Sequence, residues 1–344
     1  MYTVLAGGIG AARFLRGLVR AVDPRDITVI VNVGDDITLH GLHVSPDIDT
    51  LIYTLSGVVH PEQEWGRDDE GWRVAEELER LGAPTWFRLG DRDIATHIVR
   101  TQRLRDGATL SAVTSELARA RGVAVTLIPA TDEPMATRVT LADGRDLHFQ
   151  EYWVRERAGP AVTAIHSEGA DRARPAPGVL EAIRDAAAVG VCPSNPGVAI
   201  GTILAVPEVR DALVATHAPV VGVSPIVGGA VVRGMADKLL PAVGAETSAA
   251  GVAALYAPWL DGWVIDRADL DQAAAVRALG VDVAVTDTMM DDVDVATALA
   301  RTTLALAARL GAQPAWVSDP DDPSGGVGPT PGEARRRAHG AVGT

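Results

Sequence analysis

Four apolar, strand-like runs in this chain each end abruptly in a short polar turn rich in glycine or proline. The runs and their turns are Thr28–Val33 before Gly34-Asp35-Asp36, Thr85–Leu89 before Gly90-Asp91-Arg92-Asp93, Ala188–Cys192 before Pro193-Ser194-Asn195-Pro196, and Pro219–Val223 before Ser224-Pro225-Ile226-Val227-Gly228-Gly229. A fifth run, Thr3–Ala6, leads into Gly7-Gly8-Ile9-Gly10. Because parallel sheets bind ligands beyond the carboxyl ends of their strands, these turns predict one sheet edge that collects glycine amides, carboxylates and amide side chains. Such an edge is typical of a site for a phosphate-bearing ligand.

The order of apolar runs and helical patterns predicts an α/β fold. A strand over Tyr2–Ala6, a helix over Ala11–Val22 and a strand over Ile27–Val33 make a βαβ unit at the start of the chain. From Val179 onward, helical patterns and apolar strands alternate again. We therefore predict a doubly wound, mainly parallel, Rossmann-like sheet.

Two insertions and a tail are expected around this sheet. Residues 53–120 are mostly helical by pattern, with helices over Glu70–Leu81, Ile94–Leu104 and Leu110–Ala120. A small β-hairpin insertion is expected over 137–153, where alternating strands flank Asp143-Gly144. The folded domain is expected to span 1–315, and the Pro-, Gly- and Arg-rich residues 316–344 are expected to form a disordered tail.

The composition restricts the partners of the chain. Its formal net charge of −14 disfavours nucleic acid and anionic membranes as partners. The same field repels a phosphorylated substrate, so a phosphate site needs helix N-termini, arginines or a divalent cation. The single cysteine, Cys192, excludes an intrachain disulfide. Because no apolar run reaches about 18 residues, we expect no membrane partner and a cytoplasmic protein.

The glycine turn Gly7-Gly8-Ile9-Gly10 lies between a predicted strand and a predicted helix. Glycines there let the backbone approach a phosphate, and the helix N-terminus adds amide donors; the alternative is a tight turn without a ligand. The turn departs from the dinucleotide fingerprint because Arg13 occupies the third small position.

At the next strand end, Asn32-Val33-Gly34-Asp35-Asp36 either reaches a ribose hydroxyl or metal, or forms an ordinary acidic turn.

The segment Ser45-Pro46-Asp47-Ile48-Asp49-Thr50 leads into an apolar helix. Asp49 or Thr50 can cap that helix. Two carboxylates and a hydroxyl so close in sequence also suit magnesium, or a base for a substrate hydroxyl. Both interpretations stay open at this stage.

Arg88 stands at the end of an apolar run, where a charged residue is unusual. It either extends to solvent or meets a carboxylate or a ligand at the sheet edge. In the turn that follows, Asp93 can cap the next helix, and Asp91 with Arg92 can form a surface pair.

Two proline-containing turns follow later strands. In Pro193-Ser194-Asn195-Pro196 the prolines fix the backbone and leave polar side chains directed outward, and Ser224-Pro225 with Gly228-Gly229 repeats this design one strand later. Each turn by itself is equally well a turn without a ligand. The neighbouring Cys192 is interpreted as a small buried residue, and His97 and His148 as structural or surface residues.

Seven motifs in order resemble the 2-phospho-L-lactate transferase family (CofD, called FbiA in actinobacteria). They are Gly7-Gly8-Ile9-Gly10-Ala11-Ala12-Arg13, Asn32-Val33-Gly34-Asp35-Asp36, Ser45-Pro46-Asp47-Ile48-Asp49-Thr50, Gly90-Asp91-Arg92-Asp93, His148-Phe149-Gln150-Glu151-Tyr152-Trp153-Val154, Pro193-Ser194-Asn195-Pro196 and Ser224-Pro225-Ile226-Val227-Gly228-Gly229. The resemblance covers roughly residues 1–310.

The resemblance implies a magnesium-dependent transferase of coenzyme F-420 biosynthesis. Family members move a phosphoenolpyruvyl or 2-phospho-L-lactyl group from a guanosine diphosphate-type donor to the deazaflavin alcohol 7,8-didemethyl-8-hydroxy-5-deazariboflavin (Fo). GMP leaves, and coenzyme F-420-0 or its dehydro form results. The resemblance also implies that Asp49 and Arg88 bind Fo, and that the enzyme forms a homodimer.

From the motifs and the resemblance together we assign roles as hypotheses. The catalytic residues are Asp47, Asp49 and Arg88; Fo binds at Asp49, Thr50, Arg88 and Asp91; the nucleotide binds at Gly8, Gly10, Arg13, Asn32, Asp35, Ser194, Asn195, Pro196, Ser224, Gly228 and Gly229; Mg²⁺ binds at Asp36 and Asp49. The chemistry is attack of an alcohol on a pyrophosphate phosphorus, which needs positioning and charge neutralisation. Replacing Asp49 by Asn is expected to abolish transfer and leave the fold intact.

Two other functions compete with this one. A non-catalytic nucleotide-sugar-binding regulator of the same superfamily is the alternative, but Ser45–Thr50 and His148–Val154 resemble the transferase branch. A nicotinamide oxidoreductase is disfavoured by Arg13 at the third fingerprint position and by the absence of an obvious catalytic pair.

Overall fold

The computed structural model describes residues 1–312. The tail expected over 316–344, and the last residues of the domain expected over 1–315, lie outside the described residues. Among residues 1–312, no helix is both long enough and apolar enough to cross a bilayer.

The strands of residues 1–312 belong to one large sheet and three small ones. In chain order they are β1 (Tyr2–Ala6), β2 (Ile27–Val31), β3 (Ile37–Leu39), β4 (Leu42–Val44), β5 (Thr126–Pro129), β6 (Ala136–Leu141), β7 (Asp146–His148), β8 (Val162–Glu168), β9 (Ala188–Val191), β10 (Val220–Val223), β11 (Ile226–Val227), β12 (Ala230–Val231), β13 (Gly262–Asp266) and β14 (Asp282–Thr286).

The helices connect these strands and cover the large sheet. They are α1 (Gly8–Ala21), α2 (Pro46–Leu55), α3 (Arg73–Arg80), α4 (Asp91–Arg105), α5 (Leu110–Ala120), α6 (Val179–Arg184), α7 (Gly201–Ala205), α8 (Val209–Ala215), α9 (Ala236–Leu239), α10 (Ala249–Tyr256), α11 (Ala273–Ala278) and α12 (Val293–Arg309). Segments of 3₁₀-helix are Pro24–Asp26, Pro241–Val243 and Arg267–Gln272, and segments of π-helix are Glu151–Arg155 and Pro196–Ile200.

The large sheet has seven parallel strands in the order β14-β13-β10-β9-β1-β2-β5. Every residue of β1, β2, β9, β10 and β13 is buried, as expected where helices cover both faces of a parallel sheet. The prediction of a doubly wound α/β fold is confirmed. The strand order reverses between β1 and β9, where Val4 pairs with Gly190. In such sheets the crevice at this reversal is the usual place for a ligand.

The run Thr85–Leu89 is not a strand, so that prediction was wrong. The segment is irregular, and Leu89 is the only one of its five residues that is buried. A strand inside a parallel sheet is covered on both faces, whereas Trp86 and Phe87 are half-buried and pack edge to face with ring centroids 5.8 Å apart. The strand that extends the sheet beyond β2 is β5, which the sequence patterns did not indicate.

The predicted hairpin is present as β6 and β7, and β8 extends it to a three-stranded antiparallel sheet. Val139 and Leu141 of β6 pack with Tyr152 and Leu239 in a core of their own. Every residue of β8 is half-buried or exposed, which explains why its sequence lacks a strong strand pattern. The hairpin carries Gln150 to the edge of the large sheet, where it contacts Asp35.

Helices α4 and α5, which lie between β2 and β5, each begin where a side chain accepts hydrogen bonds from their first amides. Helix α5 has the predicted bounds, and Thr109 Oγ1 accepts a hydrogen bond from the Ala112 amide at 3.2 Å. Helix α4 begins three residues earlier than predicted, because the Glu70 carboxylate accepts hydrogen bonds from the amides of Arg92 (2.8 Å) and Asp93 (2.9 Å). Asp93 is therefore free of the capping role expected from the sequence.

Candidate active site

A cavity of about 530 Å³ lies at the carboxyl edge of the large sheet. Turns that follow β1, β2, β9, β10 and β14 line it. The contributions from these strand ends include Gly8, Asp35, Ser194, Ser224 and Thr288. The expectation that the strand-end turns meet at one edge is confirmed for the strands that belong to the sheet. The segment before Gly90 also reaches the cavity, through Phe87 and Arg88, although it is not a strand.

The glycine turn after β1 packs too closely for larger residues. A Cβ atom on Gly7 would lie 2.6 Å from Asp47 Oδ2, and one on Gly10 would lie 2.2 Å from the Pro193 carbonyl oxygen. The Ser194 hydroxyl ties the turn to β9 by donating to the Gly7 carbonyl at 2.8 Å. The first turn of α1 has no acidic residue and no side-chain cap. The Gly8 amide donates to the Asp47 carboxylate and the Gly7 amide to Ser194 Oγ, so the amides of Ile9 and Gly10 are the ones that remain for an anion.

Four buried polar residues form what we call the acid–amide cluster: Asn32, Asp35, Asp47 and Gln150. Asn32 Nδ2 donates to both carboxylates, at 3.0 Å to Asp35 Oδ1 and 2.9 Å to Asp47 Oδ2. Gln150 Nε2 donates to Asp35 Oδ2 at 2.7 Å. The cluster brings two negative charges together, and its side-chain donors are neutral amides.

The pKa values of the two carboxyls reflect this shortage of positive charge. Burial, opposed by the hydrogen bond from Asn32, raises the pKa of Asp47 to about 6. Burial and the nearby Asp47 raise the pKa of Asp35. Close to them, Asp36 Oδ1 is buried without a hydrogen-bond partner among the described residues. Buried carboxylate oxygens that lack a cationic partner match the ligands that Mg²⁺ prefers, so the acid–amide cluster fits a divalent cation.

A second group, the arginine–carboxylate cluster, consists of Asp49, Tyr53, Asp93, His97 and Arg100. Arg100 is fully buried and engages Asp49 through both terminal nitrogens, with Nη1 at 3.0 Å from Oδ2 and Nη2 on Oδ1. His97 Nε2 lies 3.3 Å from Asp93 Oδ2, and Tyr53 donates to Asp93 Oδ1 at 2.6 Å. Burial opposes the ionisation of Asp93, but the neighbouring His97 and the hydrogen bond from Tyr53 bring its pKa below the usual value. In this cluster Arg100 supplies the positive charge that compensates the buried carboxylates.

Helix geometry explains why Asp47 and Asp49 join different clusters. Residues two apart in an α-helix differ by about 200° in direction, whereas residues four apart lie on the same face. Asp47 therefore contacts Asn32, while Asp49 and Tyr53 share the face that meets α4. Their closeness in sequence does not make the two aspartates a shared metal site.

The oxygen and nitrogen atoms of Asp49, Asp93 and His97 lie within 4.8 Å of one another, which is also a spacing for metal ligands. Arg100 already occupies both oxygens of Asp49, however, and its charge repels a cation. We therefore regard the acid–amide cluster as the better site for Mg²⁺.

Arg88 lines the cavity and stacks on an aromatic ring. Its guanidinium carbon lies 4.5 Å from the centre of the Trp72 ring. Within residues 1–312, Arg88 makes no ion pair with a carboxylate. Its charge is therefore available to a ligand in the cavity. Thr50, Trp65, Phe87 and Trp153 also line this space, which gives it a partly aromatic wall.

Several predicted site residues lie behind the cavity or beside it. Asp36 accepts hydrogen bonds from Ser45 Oγ (2.8 Å) and pairs with His43 (2.9 Å). Asp91 accepts the amide hydrogen bond of Val74 at 3.0 Å at the start of α3, so it is not the surface partner of Arg92. The Gly228 amide donates to the buried Asp269 at 3.0 Å. Asn32, Asp36, Asp91, Pro196, Gly228 and Gly229 do not line the cavity, whereas Gly8, Gly10, Arg13, Asp35, Asp47, Asp49, Thr50, Arg88, Ser194, Asn195 and Ser224 do.

Asp93 and His97 also line the cavity, although neither was assigned to the site from the sequence. His97 is buried in the arginine–carboxylate cluster, so a surface position for it is excluded. His148 is structural, since its Nδ1 accepts from the Gln150 amide (3.1 Å) and Nε2 lies 3.0 Å from the Asp36 carbonyl oxygen. The spacing of Asp93, His97 and Arg100 at i, i+4 and i+7 on α4 was the available clue, because such residues share one helix face. Cys192 is buried as expected.

The parallel sheet, the glycine turn and the acidic cavity together have the architecture of nucleotide-binding α/β enzymes. Residues 2–302 match the family described as 2-phospho-L-lactate transferase CofD. The chain is 55% identical over 309 residues to a phosphoenolpyruvate transferase of Kitasatospora aureofaciens, covering 88% of this chain and 96% of that protein. It is 43% identical over 305 residues to a phosphoenolpyruvate transferase of Mycolicibacterium smegmatis, covering 83% of this chain and 93% of that protein.

The fold also occurs in a solved structure of a distant protein. A crystal structure from Bacillus halodurans matches with a TM-score of 0.59 and 17% sequence identity, covering 88% of this chain and 98% of that chain. At this identity the likeness concerns the fold alone. The family match and the close relatives establish that the chain belongs to the 2-phospho-L-lactate transferase CofD family. It is a transferase of coenzyme F-420 biosynthesis, which confirms the enzyme prediction over the non-catalytic alternative.

Proposed function

We propose that this transferase moves a phosphoenolpyruvyl group from a guanosine diphosphate-type donor to Fo, with release of GMP and formation of dehydro coenzyme F-420-0. The choice of phosphoenolpyruvate over 2-phospho-L-lactate is supported by relatives of 52–55% identity that are named phosphoenolpyruvate transferases. The observation that carries the proposal is the acid–amide cluster beside the glycine turn, at the strand-order reversal between β1 and β9.

The donor binds through its phosphates at the glycine turn. The amides of Ile9 and Gly10, which follow the Gly8 amide bound to Asp47, suit an anion, and both residues line the cavity. Ser194 holds this turn against the end of β9. Arg13, one helical turn into α1, adds a guanidinium to the same wall of the cavity.

Asp35 and Asp47 are proposed to hold Mg²⁺, in place of the pair Asp36 and Asp49 named from the sequence. Asn32 orients both carboxylates and Gln150 orients Asp35, and no arginine or lysine within residues 1–312 pairs with either carboxylate. When bound, Mg²⁺ supplies charge neutralisation to the phosphates of the donor.

The acceptor alcohol is oriented by the arginine–carboxylate cluster. Asp49, fixed by Arg100, accepts the hydrogen bond of the Fo hydroxyl, and Arg88 offsets the negative charge of the reacting phosphoryl group. The hydroxyl oxygen attacks the phosphorus that carries the enolpyruvyl group. The bridging P–O bond to GMP breaks, its electron pair leaves with GMP, and the alcohol proton passes to solvent or to Asp49.

The test is a reconstituted reaction with the full chain. Protein, Fo, Mg²⁺ and phosphoenolpyruvyl-guanosine diphosphate are mixed, and GMP and the fluorescent products are resolved by anion exchange. We expect equal amounts of GMP and of a fluorescent product more negatively charged than Fo, both dependent on Fo. Release of GMP without a new deazaflavin species, or no turnover at all, would contradict the proposal.

A parallel reaction uses 2-phospho-L-lactyl-guanosine diphosphate at the same concentration. A higher kcat/KM with the phosphoenolpyruvyl donor supports the assigned three-carbon acid. A preference for the lactyl donor would leave the transferase in place and overturn that assignment alone.

A further inference from the structure

Two arginines at the rim of the cavity share one carboxylate. Arg13 donates to Glu64 through Nε and Nη2, each at 2.7 Å, and Arg233 Nη1 also contacts Glu64 Oε2. The Glu64 side chain is 16% exposed, and both arginines line the cavity. The motif containing Arg13 is far from Glu64 and Arg233 in sequence, so the fold alone brings the three together.

The loop that carries Glu64 holds this residue in an uncommon backbone conformation. Glu64 has φ of 62°, a region that residues with a Cβ atom adopt rarely and at a cost in free energy. The loop is closed at its base by the bridge between Val59 and Arg67, and the Glu64 amide donates to the His60 carbonyl at 2.8 Å. These contacts fix the loop, so the Glu64 carboxylate is held in place for both arginines.

The segment that carries Arg233 crosses from the other side of the cavity. It leaves β10 through Gly228, whose amide donates to Asp269 at 3.0 Å. Arg233 Nη2 then donates to the Gln63 carbonyl at 2.8 Å. The segment is thus tied to the Glu64 loop by both a side-chain and a main-chain contact. The neighbours Trp65 and Val232, one from each segment, also line the cavity.

Two guanidinium groups meet at this rim of a chain whose formal net charge is −14. They share the Glu64 carboxylate, and the exposed Asp291 adds a weaker attraction to Arg13. Donor groups also remain available: Arg13 Nη1 has only a 3.5 Å contact with the Met289 carbonyl oxygen, and Arg233 Nε has no hydrogen bond within residues 1–312. A guanidinium binds an anion with one edge while a carboxylate holds another. The acid–amide cluster in the same cavity has the opposite charge.

We propose that Glu64 is a positioning residue that holds Arg13 and Arg233 as a paired binding site for the phosphates of the donor. Glu64 fixes one edge of each guanidinium, and the free edges bind phosphate oxygens that face away from the acid–amide cluster. The assignment of the anion as a nucleoside diphosphate rests on the proposed function. The binding of a diphosphate by the two arginines does not.

The experiment compares Glu64→Gln, Arg233→Gln and the double variant, in the full chain with Mg²⁺. Binding of inorganic pyrophosphate is measured by calorimetry, and transfer kinetics are measured with both substrates varied. Each single variant is expected to weaken pyrophosphate binding and raise the donor KM by about tenfold, the cost of one charge-assisted hydrogen bond. kcat and the KM for Fo are expected to change less than about twofold. The double variant is expected to lose less than the product of the two single losses, because Glu64 acts through Arg233.

Glu62→Gln and Arg210→Gln are the matched controls. Both residues are exposed, and their side chains make no hydrogen bond or ion pair among the described residues. Both variants are expected to match the wild type in every measurement. Thermal unfolding of each variant identifies any loss of fold, and Arg233→Gln, at a more exposed position, keeps the test available if Glu64→Gln is unstable.

Three results would overturn the proposal. They are unchanged pyrophosphate binding in both single variants, losses that multiply in the double variant, or tighter binding by Glu64→Gln, which would make Glu64 a competitor of the phosphates. If the wild type binds pyrophosphate through these residues but transfers nothing to Fo, the proposed function fails and the arginine pair stands.

Discussion

The acid–amide cluster and the arginine–carboxylate cluster meet two faces of α2, through Asp47 and Asp49, and they compensate the burial of carboxylates differently. Asp35 and Asp47 are held by the neutral amides of Asn32 and Gln150. Asp49 is held by the buried cation Arg100, with both oxygens engaged. Burial of a charge is costly unless a partner compensates for it. The first cluster therefore needs a charge from outside the protein, and the second does not.

This difference separates two roles that the sequence motif 45–50 had combined. A cluster that lacks positive charge is prepared to receive a cation, and through it the phosphates of a donor. A cluster that is already neutralised is rigid and suited to orienting a hydroxyl group. The predictions that follow test this division.

The largest effect is expected for Asp47→Asn. The rate of transfer should fall by about a thousandfold or more, because the variant loses a ligand of the cation that neutralises the reacting phosphates. The fold should not weaken, because the substitution removes a buried charge that the protein does not compensate. Steady-state kinetics and thermal unfolding without metal provide the measurements. Asp211→Asn, at an exposed carboxylate of α8, is the control. A strongly destabilised Asp47→Asn protein would contradict the account.

Asp49→Asn is expected to behave in the opposite way. The substitution leaves Arg100 buried without its counter-ion, which should reduce the free energy of unfolding by about 3–5 kcal/mol as well as reduce transfer. This revises the expectation from the sequence that the fold would stay intact. Denaturant unfolding gives the value. The double variant Asp49→Asn with Arg100→Gln should recover part of the loss, and strict additivity would argue against the pair.

Arg88→Gln is expected to act on the binding of Fo and also on kcat, because Arg88 is proposed to offset the charge of the reacting phosphoryl group. Arg88 stacks on Trp72 and has a free charge in the cavity, so its loss should raise the KM for Fo by about tenfold and leave the donor KM unchanged. Arg88→Lys should recover little, because the flat guanidinium is what stacks on the ring. Equal changes in both KM values would indicate a general distortion of the cavity.

The smallest effect is expected for Tyr53→Phe. It removes the hydrogen bond to Asp93 at 2.6 Å, which should lower stability by about 1–2 kcal/mol. Tyr256→Phe is the control, since its hydroxyl is buried without a hydrogen-bond partner among the described residues and its removal should cost nothing. Thermal unfolding compares the two. Equal losses would show that the Asp93 contact has no special weight.

The large sheet and its ligand edge could be predicted because each central strand is a short apolar run, and a turn that contains Gly, Pro or Asp follows it. The same rule failed at Thr85–Leu89, where an apolar composition occurs without burial on two faces. It also missed β5, a short strand at the edge of the sheet that ends in Pro129. Local composition alone does not report whether a run is covered on both faces.

The site was predictable where residues adjoin a strand end and not where distant elements meet. Asp35 and Asp47 were recognised from their motifs, but Gln150, which donates to Asp35, is brought there by the hairpin. Arg100 and Glu64 have no motif, since each acquires its role from ion pairs formed by the fold, Arg100 with Asp49 and Glu64 with two arginines. The homodimer remains a prediction that the single chain does not test.

The most direct test of the central claim is the binding of Mg²⁺ to wild type, Asp47→Asn and Asp49→Asn. Calorimetry is done with guanosine diphosphate present, because Mg²⁺ in proteins usually completes its ligands with phosphate and water. The account predicts that Asp47→Asn loses Mg²⁺ binding by about a hundredfold or more, while folded Asp49→Asn binds within a few fold of wild type. Loss of binding in Asp49→Asn with retention in Asp47→Asn would contradict it and place the cation in the arginine–carboxylate cluster.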